Sequence, residues 1–139
     1  MPVPAEVLLT RRFHFSASHR LDSAALSAEA NERAYGLCCN VHGHNYRLEV
    51  TVRGCVDPAT GFFANVLDLK ALVERLVVEP CDHHFLNEVP LFAGRPTTME
   101  NLAAAIWGAI EAPLAQRGMT LHEVLVAETD DNLVRLRRE

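Results

Sequence analysis

The amino-acid sequence predicts an α+β domain in which an antiparallel sheet carries helices on one of its faces. Two observations lead there. Period-2 alternation occupies both ends of the chain and helical spacing its middle, in the order strand, strand, strand, helix, helix, strand, strand. In addition, two of the strands run an apolar face straight into histidine, which makes sense if they lie side by side.

The first strand covers residues 6–18 and places Val7, Leu9, Phe13, Phe15 and Ala17 on one face, with His19 next in phase. Residues 27–33 form a short polar helix or loop that ends near Gly36. Residues 44–56 give the strongest strand signal, rich in Val, Thr and Tyr. Tyr46, Leu48, Val50 and Val52 share a face there, and stepping back in the same phase reaches His44 and then His42. Asp57-Pro58-Ala59-Thr60-Gly61 has the chemistry of a turn, so Phe62-Phe63-Ala64 is expected to return as a hairpin strand. Asn65 caps a helix with Val66, Leu69, Val73, Leu76 and Val77 on one face, and Pro80 should end it. Thr97-Thr98-Met99-Glu100 reads as a capping box with Thr97 at the cap. The helix behind it buries Leu102, Ile106, Ala109 and Ile110, and Pro113 should kink or end it. Residues 120–128 and 132–137 pair around Asp130-Asp131-Asn132.

The 139 residues fit a single domain, 1–139, large enough to bury a core without disulfides. A net charge of −5 with scattered arginines offers no stripe for nucleic acid. No stretch is apolar for the length of a membrane span, and the start lacks the pattern of a signal peptide, so a cytoplasmic protein is expected. Cys38, Cys39, Cys55 and Cys81 do not form a secreted disulfide pattern. Such a sheet has one face covered, and the other face or its edges should pack against copies of the chain, with sites between subunits.

Antiparallel pairing of the two His-terminated strands would bring His19, His42 and His44 together at the mouth of the core. Three neutral nitrogen ligands with no evident fourth describe a catalytic zinc with an open position; the alternative is three histidines without a metal. Cys38, four residues before His42, reads three ways: a fourth ligand, a nearby thiolate acting as base or nucleophile, or a packing residue. In Asp82-His83-His84 the carboxylate either supports the imidazole or caps a short turn running to Asn87. Glu128 follows the apolar Val124 and Val126 in phase. It is either a desolvated carboxylate awaiting two parallel N–H donors, as on a pterin or guanine edge, or an ordinary turn residue. His14 and His122 are read as structural.

Together these segments resemble the 6-pyruvoyltetrahydropterin synthase family, including its 6-carboxytetrahydropterin synthase branch of queuosine biosynthesis. The resemblance is carried by Phe15-Ser16-Ala17-Ser18-His19-Arg20-Leu21, by Cys38 with His42-Gly43-His44-Asn45-Tyr46, and by Val56-Asp57-Pro58-Ala59-Thr60-Gly61. It continues through Asp68-Leu69-Lys70, Asp82-His83-His84-Phe85-Leu86-Asn87, Thr98-Met99-Glu100-Asn101 and Glu128-Thr129-Asp130. It implies a T-fold (tunnelling fold): a four-stranded antiparallel sheet with two helices on one face, three subunits closing a barrel and two trimers stacking into a homohexamer. By position it makes His19, His42 and His44 the zinc ligands, Cys38 the catalytic cysteine, and Asp82 with His83 the partner acid/base. Glu128 would anchor the pterin ring, with Thr98 nearby. The implied substrate is 7,8-dihydroneopterin triphosphate, with Arg20, Lys70 or residues of a neighbouring subunit as candidates for its phosphates.

Two features pull the product assignment apart. Only Cys39, Asn40 and Val41 separate Cys38 from His42, a short spacer that resembles the 6-carboxy branch. Residues 27–32 and 128–132 look more like the 6-pyruvoyl branch. The expected function is therefore a zinc-dependent lyase giving 6-carboxytetrahydropterin, triphosphate and acetaldehyde. The 6-pyruvoyl product and a non-catalytic pterin- or zinc-binding module are the alternatives. Asn65 stands where many relatives have Asp and serves equally as a cap, and Cys39 is a second thiol beside Cys38 that could share its role.

Overall fold

The structure, a computed structural model, describes residues 6–139; the first five residues of the expected domain 1–139 lie outside the described residues. Strands β1 (Val7–His19), β2 (His42–Gly54), β3 (Thr120–Ala127) and β4 (Leu133–Arg137) form one antiparallel sheet in that order. Helix α1 (Ala28–Tyr35) lies in the β1–β2 connection. Helices α2 (Val66–Val73), α3 (Glu79–Cys81) and α4 (Met99–Ala115) lie between β2 and β3. The apolar phase of the strands goes where the alternation says. Phe13, Phe15, Ala17, Tyr46, Leu48, Val50 and Val52 are buried in one cluster with Leu69, Val77, Leu102, Ile106 and Ile110 from the helices. The other face is polar, with Thr10 bonded to Thr51 at 2.7 Å and Ser16 to Asn45 at 2.7 Å.

Four expectations need correction. Residues 62–64 are not a strand, because β2 already has β1 on one side and β3 on the other and offers no free edge. The turn itself forms, with Gly61 N–H donating to Asp57 O at 2.8 Å, but Phe63 then folds over Gly54, where a Cβ would lie 2.2 Å from its ring. Pro80 does not end its helix. A π-helical turn (Glu74–Val78) precedes it and the chain continues helically to Cys81. A widened turn re-pairs the carbonyls around the proline, which has no N–H to give. Thr98, not Thr97, caps α4: its Oγ1 accepts from Asn101 N at 3.2 Å. Finally, α4 runs through Pro113 to Ala115. The ring deletes one bond close to the helix end, where Gln116 N–H still reaches Ala112 O and Met119 N–H reaches Leu114 O.

Candidate metal centre and active site

The site is assembled at one end of the sheet, where β1 and β3 finish and β2 begins. The β1–β2 ladder runs in unbroken register from Val7 opposite Gly54 to His19 opposite His42. His44, two residues on, therefore shares the face of His42. One ligand atom from each of His19, His42 and His44 lies within 4.8 Å of the others, and their ring centroids are 4.6–5.2 Å apart. Cys38 lies outside this cluster, so the closed four-ligand version of the site is not formed.

The far nitrogens of two of these rings are tied down. His19 Nδ1 lies 3.0 Å from Thr97 O and 3.1 Å from Thr97 Oγ1, and His42 Nδ1 lies 2.7 Å from Asn40 O. A carbonyl acceptor requires the proton on Nδ1, which leaves Nε2 as a lone pair facing the cluster. His19 Nε2 and His44 Nε2 are buried without any hydrogen-bond partner, and so is the hydroxyl of the neighbouring Tyr46. Orphaned buried polar atoms are costly, about 1–3 kcal/mol each. Two such imidazole nitrogens orphaned within one three-histidine cluster fit a bound cation better than an apolar core. Burial first, then the neighbouring His42, pulls the His19 imidazole down to about 4. Burial also lowers His44, opposed by Glu128. Neutral imidazoles are the form a metal needs.

Glu128 follows directly on β3, and extending the ladder one step beyond Arg47 opposite Ala127 sets it against Tyr46. Its Oε2 lies 3.6 Å from His44 Nε2, so the structure brings Glu128 to the edge of the cluster.

Residues 82–85 run along the outer edge of β1. Asp82 Oδ1 accepts from Ser16 N at 2.9 Å, His83 N–H donates to Ser16 O at 2.6 Å, and Ser18 N–H donates to His84 O at 3.1 Å. Asp82 thus caps a strand edge, not the turn leading to Asn87. Its other oxygen lies 3.0 Å from His83 Nδ1. The Ser16 N–H first and His83 second hold the Asp82 carboxyl below its ordinary range. His83 has φ of +61°, a left-handed conformation uncommon for a residue with a Cβ, and its ring is largely exposed. A groove beside β1 is lined by His83, His44, Asn45 and Phe85. Cys38 sits on the 3-10 turn Gly36–Cys39 with its side chain exposed, while Cys39 is half-buried with its thiol 3.4 Å from Asn31 O. The Thr98 hydroxyl is engaged in its cap. Thr97, Tyr46 and Asn87 have no singular sequence signal; Asn87 clamps Arg20 by accepting from its N–H at 2.9 Å and donating to its carbonyl at 2.8 Å.

The model of the family described as 6-pyruvoyl tetrahydropterin synthase matches residues 8–139. The chain belongs to this family. A human protein named 6-pyruvoyl tetrahydrobiopterin synthase is 46% identical, over 91% of this chain and 88% of its own length. An Archaeoglobus fulgidus protein named as a putative 6-carboxy-5,6,7,8-tetrahydropterin synthase is 33% identical, over 84% of this chain and 92% of its own. Among solved structures, the Caenorhabditis elegans 6-pyruvoyl tetrahydropterin synthase superposes with a TM-score of 0.90 at 32% identity, covering 100% of this chain and 99% of that one. The fold is the T-fold, and the chain is an enzyme of the tetrahydropterin synthase class, a lyase.

Proposed function

We propose that the chain converts 7,8-dihydroneopterin triphosphate into 6-pyruvoyltetrahydropterin with loss of triphosphate, using zinc held by His19, His42 and His44. The observation that carries the metal is the pair of buried, unpartnered Nε2 atoms of His19 and His44 within the three-histidine cluster. The product reverses the preference drawn from the short Cys38–His42 spacer. Identity to proteins named for the 6-pyruvoyl product reaches 46%, against 33% for a relative named for the 6-carboxy product. One spacer in an exposed turn weighs less than similarity spread over the chain.

Bound zinc would supply Lewis acidity that makes the substrate's side-chain hydroxyls easier to deprotonate. The chain's own residues do the proton work. Cys38, as thiolate, takes a proton from the side chain, and His83, oriented by Asp82 at 3.0 Å, moves a second. Glu128 accepts two parallel N–H bonds from the pterin ring, with Thr98 as a secondary contact. Reduction of the ring is balanced by oxidation of the side chain, so no redox cofactor enters. The working unit is a homohexamer built as a dimer of trimers, in which neighbours cover the exposed Cys38 and His83; light scattering on the purified protein tests that mass.

Mass spectrometry of products from zinc-loaded protein and 7,8-dihydroneopterin triphosphate tests the reaction. A 6-pyruvoyl product is expected. The 6-carboxy product with acetaldehyde would overturn the assignment in favour of the queuosine-type branch. Unchanged substrate, with zinc bound, would overturn the enzyme reading in favour of a binding module.

A further inference from the structure

The proposed substrate carries a chain of three phosphates, and neither the histidine cluster nor the groove beside His83 includes an arginine or lysine among its described residues. A separate cleft of about 680 Å³ opens next to the cluster, lined by Arg20, Asp22, Phe85, Asn87, Arg95 and Pro96 among others. It touches the metal centre at two points of the chain. Arg20 directly follows the ligand His19, and Pro96 directly precedes Thr97, whose carbonyl fixes that ligand. Phe85 lines both this cleft and the groove beside His44 and His83. Phe85 is thus common to the groove that holds His44 and the cleft that holds both arginines.

We infer that this cleft holds the phosphate chain, gripped by Arg20 and Arg95; the inference rests on the reaction proposed above. Arg20 is prepared for the role. Asn87 clamps its backbone on both sides, Thr97 Oγ1 donates to its carbonyl at 3.3 Å, and its Nε donates to Cys39 O at 3.1 Å. The guanidinium is thereby aimed, with its terminal nitrogens left for a ligand apart from a loose 3.9 Å contact with Asp22. Arg95 is exposed and, among the described residues, enters no ion pair. Two planar forks on one concave wall suit phosphate oxygens, which they bind bidentately. Lys70, the other cation offered by the sequence, lies on α2 and does not line the cleft. The carboxylate of Asp22 opposes an anion, so removing its charge should tighten binding.

The test compares 7,8-dihydroneopterin triphosphate with unphosphorylated 7,8-dihydroneopterin, binding to zinc-loaded protein in the non-turning-over Cys38→Ala background. Arg95→Gln should weaken the triphosphate about tenfold, the scale of losing a charge-assisted hydrogen bond, and leave the unphosphorylated ligand unchanged. Asp22→Asn should tighten the triphosphate alone. Equal affinities for the triphosphate with and without Arg95 would overturn the assignment, as would an equal loss for both ligands. Inorganic tripolyphosphate in zinc-buffered solution separates the two proposals. Arg95-dependent binding of it by a protein that binds no pterin would keep the anion cleft and sink the reaction.

Discussion

The histidine end of the sheet and the loops that wall it are held by different means. His19, His42 and His44 ride on a ladder of continuous register, and backbone carbonyls fix the far nitrogens of His19 and His42. Cys38, His83 and Arg95 all lie on connecting segments, exposed, each placed by a few backbone contacts. In the proposed function the ligand set therefore comes preorganised with the fold, whereas the groups proposed to move protons and bind the anion would be covered by substrate or by a neighbouring copy. Rigid metal ligands beside adjustable reacting groups is a division that mutation can probe from both sides.

The largest effect should come from the rigid side. His42→Ala removes one of three ligands, and both bound zinc and turnover should be lost; metal analysis of purified protein checks this beside product formation. Cys38→Ala strikes the loop side and should leave zinc content intact while turnover falls by about 10²–10⁴, the usual share of a general base. Loss of zinc in that variant would make Cys38 a ligand and erase the contrast. Thr97→Val keeps the carbonyl on His19 but deletes the hydroxyl. Zinc affinity should fall about tenfold, the low end for an outer-shell partner, as measured by competition with a chelator.

Smaller still is the effect of Asp82→Asn on stability. The Asp82 pKa is depressed in the folded chain, so its contribution is complete above the unfolded value near 4 and disappears as pH falls through the lower folded value. Denaturation at a series of pH values should show a constant difference between wild type and variant above about pH 5, shrinking below it. The mildest probe is alkylation. Exposed Cys55 should react in the native protein, while Cys81, its thiol pushed up to about 12 by burial, should react only on unfolding.

The same division decided what could be read from the sequence. The phase of β1 and β2 was legible because alternation is local, and it placed His19, His42 and His44 on one face before any pairing was known. The cap at Asn65 was legible for the same reason. Residues 62–64 were not, since nothing local reveals that both sides of β2 are already taken. Adjacent Thr97 and Thr98 are chemically equal as caps, and only the tertiary demand of His19 Nδ1 separates them. The π turn before Pro80 has no sequence marker, and the clasp of residues 82–85 onto Ser16 and Ser18 is a long-range contact between segments that carry no shared pattern. Product choice is a different case: the short spacer between Cys38 and His42 resembles the 6-carboxy branch, whereas residues 27–32 and 128–132 resemble the 6-pyruvoyl branch, as do the names of relatives at 45–46% identity.

The ligand set has a consequence for how the chain reaches its fold. All three histidines belong to a single strand pair, β1 with β2, closed through residues 20–41. In a sheet, a slip of one residue turns every side chain to the opposite face. A β2 displaced by one step would offer the bare Gly43 where an imidazole belongs, and no cation could be held by three nitrogens. An ion captured by His19, His42 and His44 would therefore act as a proofreader of strand alignment: it rewards a register that also seats Phe15 on Tyr46, and it withholds that reward from a sheet slipped by one residue.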